Sequence, residues 1–598
     1  MGTPKTANVA TAIAKYSDLD LSCQHITTGN FMEFNVAKCM PLVPRQTIDI
    51  DKTTFTRLEP LSVPTFGNAD IHDRAFFVPF RTIMRGWNEF ITDTPYIDGT
   101  GSNVIINNAH MIKNRVICQA LRQQFFSEQV SNPDEDNKYD FISRHSGSTT
   151  YWRFTPAGKH IYKLLCSLGY RIYLPDNAPD MEHSALPLLA ALRVYYDWYY
   201  PSAYVDDERA QSLQRWFSYD MYIAQPFSEA FTSSDCFQLF REINRVAYDS
   251  DYFVSAWDNP VAPNDSAFTG ITFKDVTLEG SPTAIITEAN GTSALTTTQR
   301  AISQFALTAL KSVNDYLKRH QIAGARVLDR YLSRFGIQLE SAKLNRSVWI
   351  GDKSSKIQFG DVTSTADTDG SPLGGYAGKG YGLNQSDGYI HYTADEYGLL
   401  IMITTIVPKT AYYQGADRYT FHSSRFDFFT PEFDNLGVQA LATRELFVPT
   451  YKLNGTDLTS GIDFNKAVFG FVPRYAEYKR AYDNLTGDYV LPSKSVGKEG
   501  WTLMRDVSHY YNDASPSGQI EPLYDSIVHA QSFVDGDDAE QYNRIFDITD
   551  NVEDKFNIIH NFVVKTRFPG RKLYDSYEFN DDDKAQHVNI DVNGVRAN

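Results

Sequence analysis

Hydrophobic positions recur at two different spacings along the chain. Near the N-terminus, Thr47 to Leu58 (TIDIDKTTFTRL) opens with apolar residues at alternate positions, Ile48 and Ile50, then changes phase so that Phe55 takes the opposite parity. Alternation marks a strand with one buried face, and a phase change inside it predicts a bulge or strong twist. Ala75 to Phe80 (AFFVPF) predicts an aromatic strand, with Pro79 at its end or at a sheet edge because proline cannot donate to a ladder. Towards the other end, Phe556 to Lys565 sets Phe556, Ile558, Phe562 and Val564 on one parity. His560 shares that parity and predicts a hydrogen-bonded core or interface histidine, since no second ligand stands at helical or hairpin spacing.

Between these strands the spacing changes to 3.6 residues. Ser184 predicts the cap of a helix from Ala185 to about Tyr200, with Pro187 tolerated in its first turn. Thr296 and Gln299 form a capping box that opens a helix to about His320, with Ile302, Phe305, Ala309, Val313 and Leu317 on its apolar face. A second helix follows Gly324 and stops at Gly336. Val261 to Leu295 is rich in Thr, Ser, Gly and Asn and predicts a surface excursion, while Asp361 to Gly382 predicts a mobile glycine-rich loop. No internal repeat at solenoid or propeller spacing is present.

The predicted class is therefore mainly β, a sandwich whose loops have grown. Its organisation is an N-terminal arm (1–46), one core unit (47–580) and a polar C-terminal tail (581–598). The insertions fall at 100–245 (mixed helical), 261–295 (surface protrusion), 296–336 (helical pair) and 361–382 (glycine-rich).

Composition sharpens this picture in three places. Aromatics reach 14%, with 37 Tyr and 38 Phe, a content that suits either extensive interfaces or an aromatic β core. The net charge of −17 makes the chain a poor general binder of polyanions, so any nucleic-acid contact must be local or shared with a basic partner. Cys23, Cys39, Cys118, Cys166 and Cys236 are widely spaced with no CxxC pair, which predicts reduced thiols. The N-terminus lacks the apolar core of a signal peptide, and the longest apolar run, Leu399 to Val407, is too short to span a bilayer. A soluble, non-secreted protein without membrane insertion is expected.

Candidate chemistry is sparse. Gly375 to Gly382 lacks the GKS or GKT ending of a phosphate loop. The acidic clusters Asp535–Asp538 and Asp581–Asp583 do not match calcium-loop spacing, and the run from Asp367 to Gly370 fails because Tyr376 stands where its glutamate should fall. No catalytic residue, metal ligand or cofactor is expected.

Two other kinds of surface stand out. The stretch from Thr410 to Phe447 is dense in rings, and Tyr412, Tyr413, Tyr419, Phe426, Phe428 and Phe429 are the expected subunit contacts. Two basic-aromatic runs, Arg474, Lys479 and Arg480 in PRYAEYKRAY and Lys565, Arg567, Arg571 and Lys572 in KTRFPGRKLY, fit the design of single-strand binding, in which cations track phosphates and rings meet bases. The same runs also fit a solvated or inter-subunit face. An interaction protein is the first reading of these features, and a β-sandwich carbohydrate-binding or glycoside-hydrolysing protein is the alternative.

Distributed landmarks add a resemblance. Thr53 to Phe90 carries an Arg-Leu strand end, the FFVP strand and a Trp-containing turn. Ala185-Leu186-Pro187 with Trp198, then Tyr252 to Pro260 (YFVSAWDNP), follow in order. Gly324-Ala325-Arg326, Arg334-Phe335-Gly336, Leu344-Asn345-Arg346, Tyr413-Gln414-Gly415 and Gly437-Val438-Gln439-Ala440 lead to Phe469 to Tyr478 (FGFVPRYAEY). Together they resemble the major capsid proteins of the Microviridae, small icosahedral single-stranded DNA phages of the gokushovirus kind. Departures lie in the loops, in residues 100 to 180, and at Arg334, where that family commonly has histidine.

The resemblance implies a single eight-stranded jelly roll with long insertions, whose copies close into the smallest icosahedral (T=1) shell around circular single-stranded DNA. It further implies assembly in the bacterial cytoplasm, residence in the virion, and as partners a small basic DNA-binding protein, a DNA pilot protein, a scaffolding protein and a host receptor.

Overall fold

The alternating stretches from the two ends of the chain become neighbours in one antiparallel sheet. In the computed structural model the described residues run from 16 to 569. Outside them lie 131–140, 172–180, 202–232, 258–314, 316–331, 337–344, 364–375, 458–467, 490–497, 523–533 and several breaks of five residues or fewer. The main strands are β1 (Ser17–Asp20), β2 (Cys23–Gly29), β3 (Asn35–Leu42), β4 (Thr47–Leu58), β5 (Ala69–Pro79), β6 (Val348–Thr363), β7 (Tyr376–Gln385), β8 (Ile390–Thr393) and β9 (Gly398–Pro408). A separate ribbon pairs β10 (Val438–Ala442) with β11 (Val468–Pro473), and β12 (Phe556–Phe568) returns to the main sheet.

The order across that sheet is β1-β12-β4-β7-β6-β5-β9-β3, with β2 also on β12 and β8 also on β4. The long β6 joins two layers, because Val348–Ile357 pairs with β5 and Gln358–Thr363 pairs with β7. Ile48, Ile50, Phe562 and Val564 from one layer share a core with Ala75, Phe77, Leu400 and Met402 from the other. The opposite face of the second layer is covered by helices: Phe76, Val78, Ile401 and Ile403 belong to one cluster with Leu189 and Leu192. Every residue of β9 is consequently buried, which is why its sequence is apolar at most positions, Thr404 and Thr405 apart, and not an alternation.

The longer α-helices among the described residues are α1 (Asn114–Gln124), α2 (Pro156–Ser167), α3 (Leu186–Val194) and α4 (Ser233–Glu242). Between α1 and α2 the insertion builds its own three-stranded sheet from Phe126–Val130, Phe141–His145 and Ser148–Phe154. Ser184 Oγ accepts from the Leu186 amide at 3.3 Å, and α3 runs on as a π-helical turn, Tyr195–Tyr199. The turn places Asp197 four residues after Arg193, whose Nε donates to it at 2.9 Å, and Asp197 also accepts from the Ser347 amide and hydroxyl.

Several sequence expectations change here. β4 matches its expected bounds but has no bulge: Ile48, Ile50, Lys52, Thr54, Thr56 and Leu58 are all buried on one parity. Phe55 lies on the opposite, exposed face, paired with Leu383 and Ile559. The phase change reflects buried polar residues at inward positions, not a backbone irregularity. The expected arm over 1–46 supplies three strands, β1 to β3, of the main sheet.

The expected mobile loop over 361–382 begins and ends in paired strand, with Asp361 opposite Gly378 and Thr363 opposite Tyr376. Alternating glycine there leaves backbone free to pair. His560 is buried as expected, its Nδ1 lying 3.1 Å from Thr54 Oγ1. The protrusion 261–295, nearly all of the helical pair 296–336 and the tail 581–598 fall outside the described residues. Gly336 ends a helical turn as expected, with φ of 65° and its amide on the Leu332 carbonyl. All five cysteines are free, and among the described residues no helix is long and apolar enough to cross a membrane.

Candidate assembly interface

Two segments that look independent in the sequence, the ring-rich run after Thr410 and the basic-aromatic run after Pro473, fold into one module around the β10–β11 ribbon. Gln439 joins them. Its Oε1 accepts from the Tyr475 amide at 3.0 Å and its Nε2 donates to the Glu477 carboxylate. Tyr475 is held with φ of 59°, a conformation that a bulky residue adopts only when its surroundings fix it. Its buried hydroxyl donates to the Phe428 carbonyl at 3.2 Å. The resulting turn sends the next residues, Ala476–Tyr478, outward as a short 3-10 helix.

A carboxylate anchors the module from below. Glu445 accepts from Arg418 Nη1 and from Tyr252 Oη, both at 2.9 Å, and from the Ala442 amide at 3.1 Å. Burial raises its carboxyl above the ordinary range, with the Arg418 guanidinium pulling the other way. The chain around Gly415 crosses directly over this point: a β-carbon there would sit 1.9 Å from the Glu445 carbonyl oxygen. That close approach accounts for glycine in the Tyr-Gln-Gly landmark. A cavity of about 120 Å³ opens beside the anchor, lined by Arg418, His422, Arg444, Glu445, Arg474 and Glu477 among others.

The rings divide into two groups. Tyr412 lies inside the chain, 3% exposed, packed on Phe253 at 4.8 Å, with its hydroxyl on the Asp251 carboxylate at 2.7 Å. Burial and the adjacent Asp251 charge raise its phenol well above the usual value. Its expected place on the surface is therefore corrected to the core. Tyr413 is half-buried and Phe426 lies outside the described residues. Tyr419, Phe428 and Phe429 are 68%, 55% and 45% exposed, and Tyr478, which the basic run contributes, is 53% exposed. Phe428 packs on His422 at 5.2 Å, and Phe429 on Tyr475 and Tyr478 at 5.1 and 5.8 Å. Phe428, Phe429 and Tyr478 are thereby linked into one exposed aromatic patch, with Tyr419 exposed on the same segment, the kind of surface that marks a binding face.

The cationic residues are more engaged than their sequence suggests. Lys479 pairs with Asp434, Arg480 reaches the Asp251 carbonyl at 3.4 Å, and the Arg474 guanidinium lies 4.8 Å from the Tyr475 ring centroid. Lys565 and Arg567 sit elsewhere, on the exposed face of β12, opposite Asp20 and Asp18 of β1. The Arg567 guanidinium stacks over Tyr16 at 4.7 Å. Arg571 and Lys572 lie outside the described residues. The two basic runs thus belong to different parts of the fold. Sequence reading missed Asp251 and Glu445, because their role depends on partners far away along the chain.

Comparison with known proteins decides the family. The phage family described as capsid protein (F protein) matches residues 7–106 and 171–559. The chain belongs to this capsid protein family. Capsid protein VP1 of Chlamydia phage 1 is 22% identical over 576 residues, covering 84% of this chain and 89% of the relative. Capsid protein VP1 of Bdellovibrio phage phiMH2K is 21% identical over 505 residues, covering 75% and 77%. Capsid protein VP1 of Spiroplasma virus 4 matches a shorter part, 24% identical over 167 residues, covering 27% of this chain and 28% of the relative. The family is a structural one and not an enzyme class, so the glycoside-hydrolysing alternative loses its ground. The unmatched stretch between the two family segments, 107–170, holds α1, the three-stranded sheet and α2. It coincides with the region where the landmarks depart.

Proposed function

We propose that copies of this capsid protein close into the smallest icosahedral shell around a circular single-stranded DNA genome, so that its working place is the virion. The family match over both halves of the chain carries the reading. The core of the shell subunit is taken to be an eight-stranded jelly roll. Two antiparallel layers, joined by a strand that runs from one to the other and bearing long insertions, support that assignment. The segment 261–295 would be the outward protrusion.

In this reading the exposed rings Tyr419, Phe428, Phe429 and Tyr478 are inter-subunit anchors. Aromatic anchors at the centre of an interface are each worth about 2 kcal/mol or more. The double substitution Phe428→Ser and Tyr478→Ser should leave the chain folded, since both rings are more than half exposed, and should shift it from particles to free subunits. Sedimentation checks both levels. A wild-type particle of megadalton size supports the shell, and a stable wild-type monomer or trimer overturns it. A double variant that assembles like the wild type removes the patch from the interface while leaving the shell standing.

In the same reading DNA contact is shared with a separate basic protein, which the charge of −17 favours, and pilot, scaffolding and receptor proteins complete the proposed set of partners. Lys565 and Arg567, with Arg571 and Lys572 beyond them, face the genome in this reading. Removing charge at Arg567 and Arg571 should lower the DNA retained per particle with little change in empty-shell yield; unchanged DNA content would overturn the assignment.

A further inference from the structure

One cluster outside the ring patch has the composition of a metal site. Asp70, His72 and Asp249 each bring a ligand atom to within 4.8 Å of the others. Asp70 and His72 stand two apart on β5 and so share a face, the parity of β5 that carries Phe76 and Val78 into the helical cover further along. Asp249 arrives from a different segment that is pinned before it, where the Val246 amide donates to the Met32 carbonyl at 2.8 Å and the Tyr248 amide to the Val534 carbonyl at 3.1 Å, and after it, where the Trp257 amide donates to the Phe471 carbonyl at 2.8 Å.

One atom of the cluster is in want of a partner and a second has only the cluster itself. Asp70 Oδ1 is buried and meets no hydrogen-bond partner among the described residues, and the buried His72 Nε2 faces only the Asp249 carboxylate, beyond ordinary hydrogen-bond length. Buried polar atoms in that condition are uncommon and call for an explanation, an ion among them. His72 Nε2 lies 3.6 Å from Asp249 Oδ2. Ligands bound at ~2.1 Å on a tetrahedral ion stand about 3.4 Å apart, so this pair needs little adjustment. The nearby cations do not occupy the same atoms. Lys409 Nζ approaches the other Asp70 oxygen, Oδ2, at 3.3 Å, and the Arg74 guanidinium is directed over the Tyr199 ring at 5.6 Å. Asp249 is 56% exposed, which gives an ion an entry path and leaves room for water in a fourth position.

We propose that Asp70, His72 and Asp249 form a binding site for a divalent transition-metal ion of the zinc type. An imidazole nitrogen with two carboxylates selects such an ion over calcium or magnesium, which favour all-oxygen cages. The bound ion would clamp β5 to the segment 245–257. The inference goes beyond the capsid reading and does not depend on it.

Linear spacing hides this set, since the third ligand lies far from the first two in sequence. Protein stripped with EDTA and titrated with zinc should hold one ion per chain, measured by elemental analysis after gel filtration. His72→Gln and Asp249→Asn should each weaken binding by more than the ~10–100-fold that loss of a supporting residue costs. Calcium or magnesium at the same concentration should not compete. Circular dichroism and the melting midpoint in EDTA should stay at wild-type values, and if His72→Gln melts lower, the more exposed Asp249→Asn decides alone.

Zinc retained undiminished in the Asp249→Asn chain, displacement by calcium, or no stoichiometric zinc in the wild type would each overturn the site. Sedimentation of the same EDTA-treated sample reports on shell assembly separately.

Discussion

Replacing Lys52 with Met should destabilise the folded subunit by about 3–5 kcal/mol, among the largest effects of any single substitution in the sandwich. Lys52 on β4 and Asp73 on β5 form an ion pair between the two layers, with side chains 1% and 3% exposed. Lys52 Nζ also donates to Thr404 Oγ1 at 2.8 Å, and Thr404 donates to Asp73, so the charges close a small ring of hydrogen bonds across the core. Burial lowers the Lys52 ammonium below its ordinary value, with Asp73 opposing that shift. A buried pair of this kind adds little over an apolar core, because desolvation offsets the attraction, yet breaking it strands a buried carboxylate.

The double substitution Lys52→Met and Asp73→Asn tests that asymmetry. Asparagine keeps an acceptor for Thr404 while removing the charge, so at least half of the single-variant loss should return. Denaturant unfolding of dissociated subunits, compared at equal m-value, measures both changes. A single variant within about 1 kcal/mol of wild type would show that water reaches the pair. His560 offers a second readout, because burial and then the Lys52 charge hold its imidazole well below the usual value. Its titration should move upward once Lys52 is gone.

The same polar strip explains what sequence alone conveyed about the fold. β5, β9 and β12 are written openly: FFVP runs to Pro79, a run interrupted only by Thr404 and Thr405 fills a doubly covered strand, and alternate residues of β12 point inward. β4 is not, because Lys52, Thr54 and Thr56 occupy inward positions that hydropathy assigns to solvent. The partners of Lys52 and Thr54, which are Asp73, Thr404 and His560, come from other strands. The ring patch was half legible for a related reason. Composition marks Thr410–Phe447 as unusual, but only the Gln439 contacts to Tyr475 and Glu477 show that Tyr478 belongs to it, and only the bond to Asp251 removes Tyr412. Strand spacing is local, whereas satisfaction of a buried polar group is not.

Acid should weaken the subunit at a second, independent place. Glu33 is buried where the chain leaves β2 for β3. Lys163 of α2 donates to Glu33 Oε2 at 2.7 Å and to Asp554 Oδ1 at 2.8 Å, so one ammonium ties the N-terminal strands, the inserted helix and the approach to β12 together. The Asn30 amide adds a bond to the same Glu33 oxygen at 2.9 Å. Burial alone would raise the Glu33 carboxyl, but the Lys163 ammonium more than compensates and holds it at about 2.

A carboxylate depressed in the folded state binds fewer protons there than in the unfolded chain. Its stabilisation is therefore complete above the unfolded value of about 4.5 and disappears as pH falls through about 2. Over that window the wild-type subunit should lose stability on the order of 3 kcal/mol from this one group, at 1.36 kcal/mol for each unit of difference. Glu33→Gln should be destabilised at neutral pH, where Lys163 loses a charged partner, and should show a flatter decline between pH 4.5 and 2. Thermal or denaturant melts of both chains across that range separate the outcomes. Parallel curves for variant and wild type would mean that the acid response resides in other carboxylates and that the Lys163 bridge contributes nothing specific.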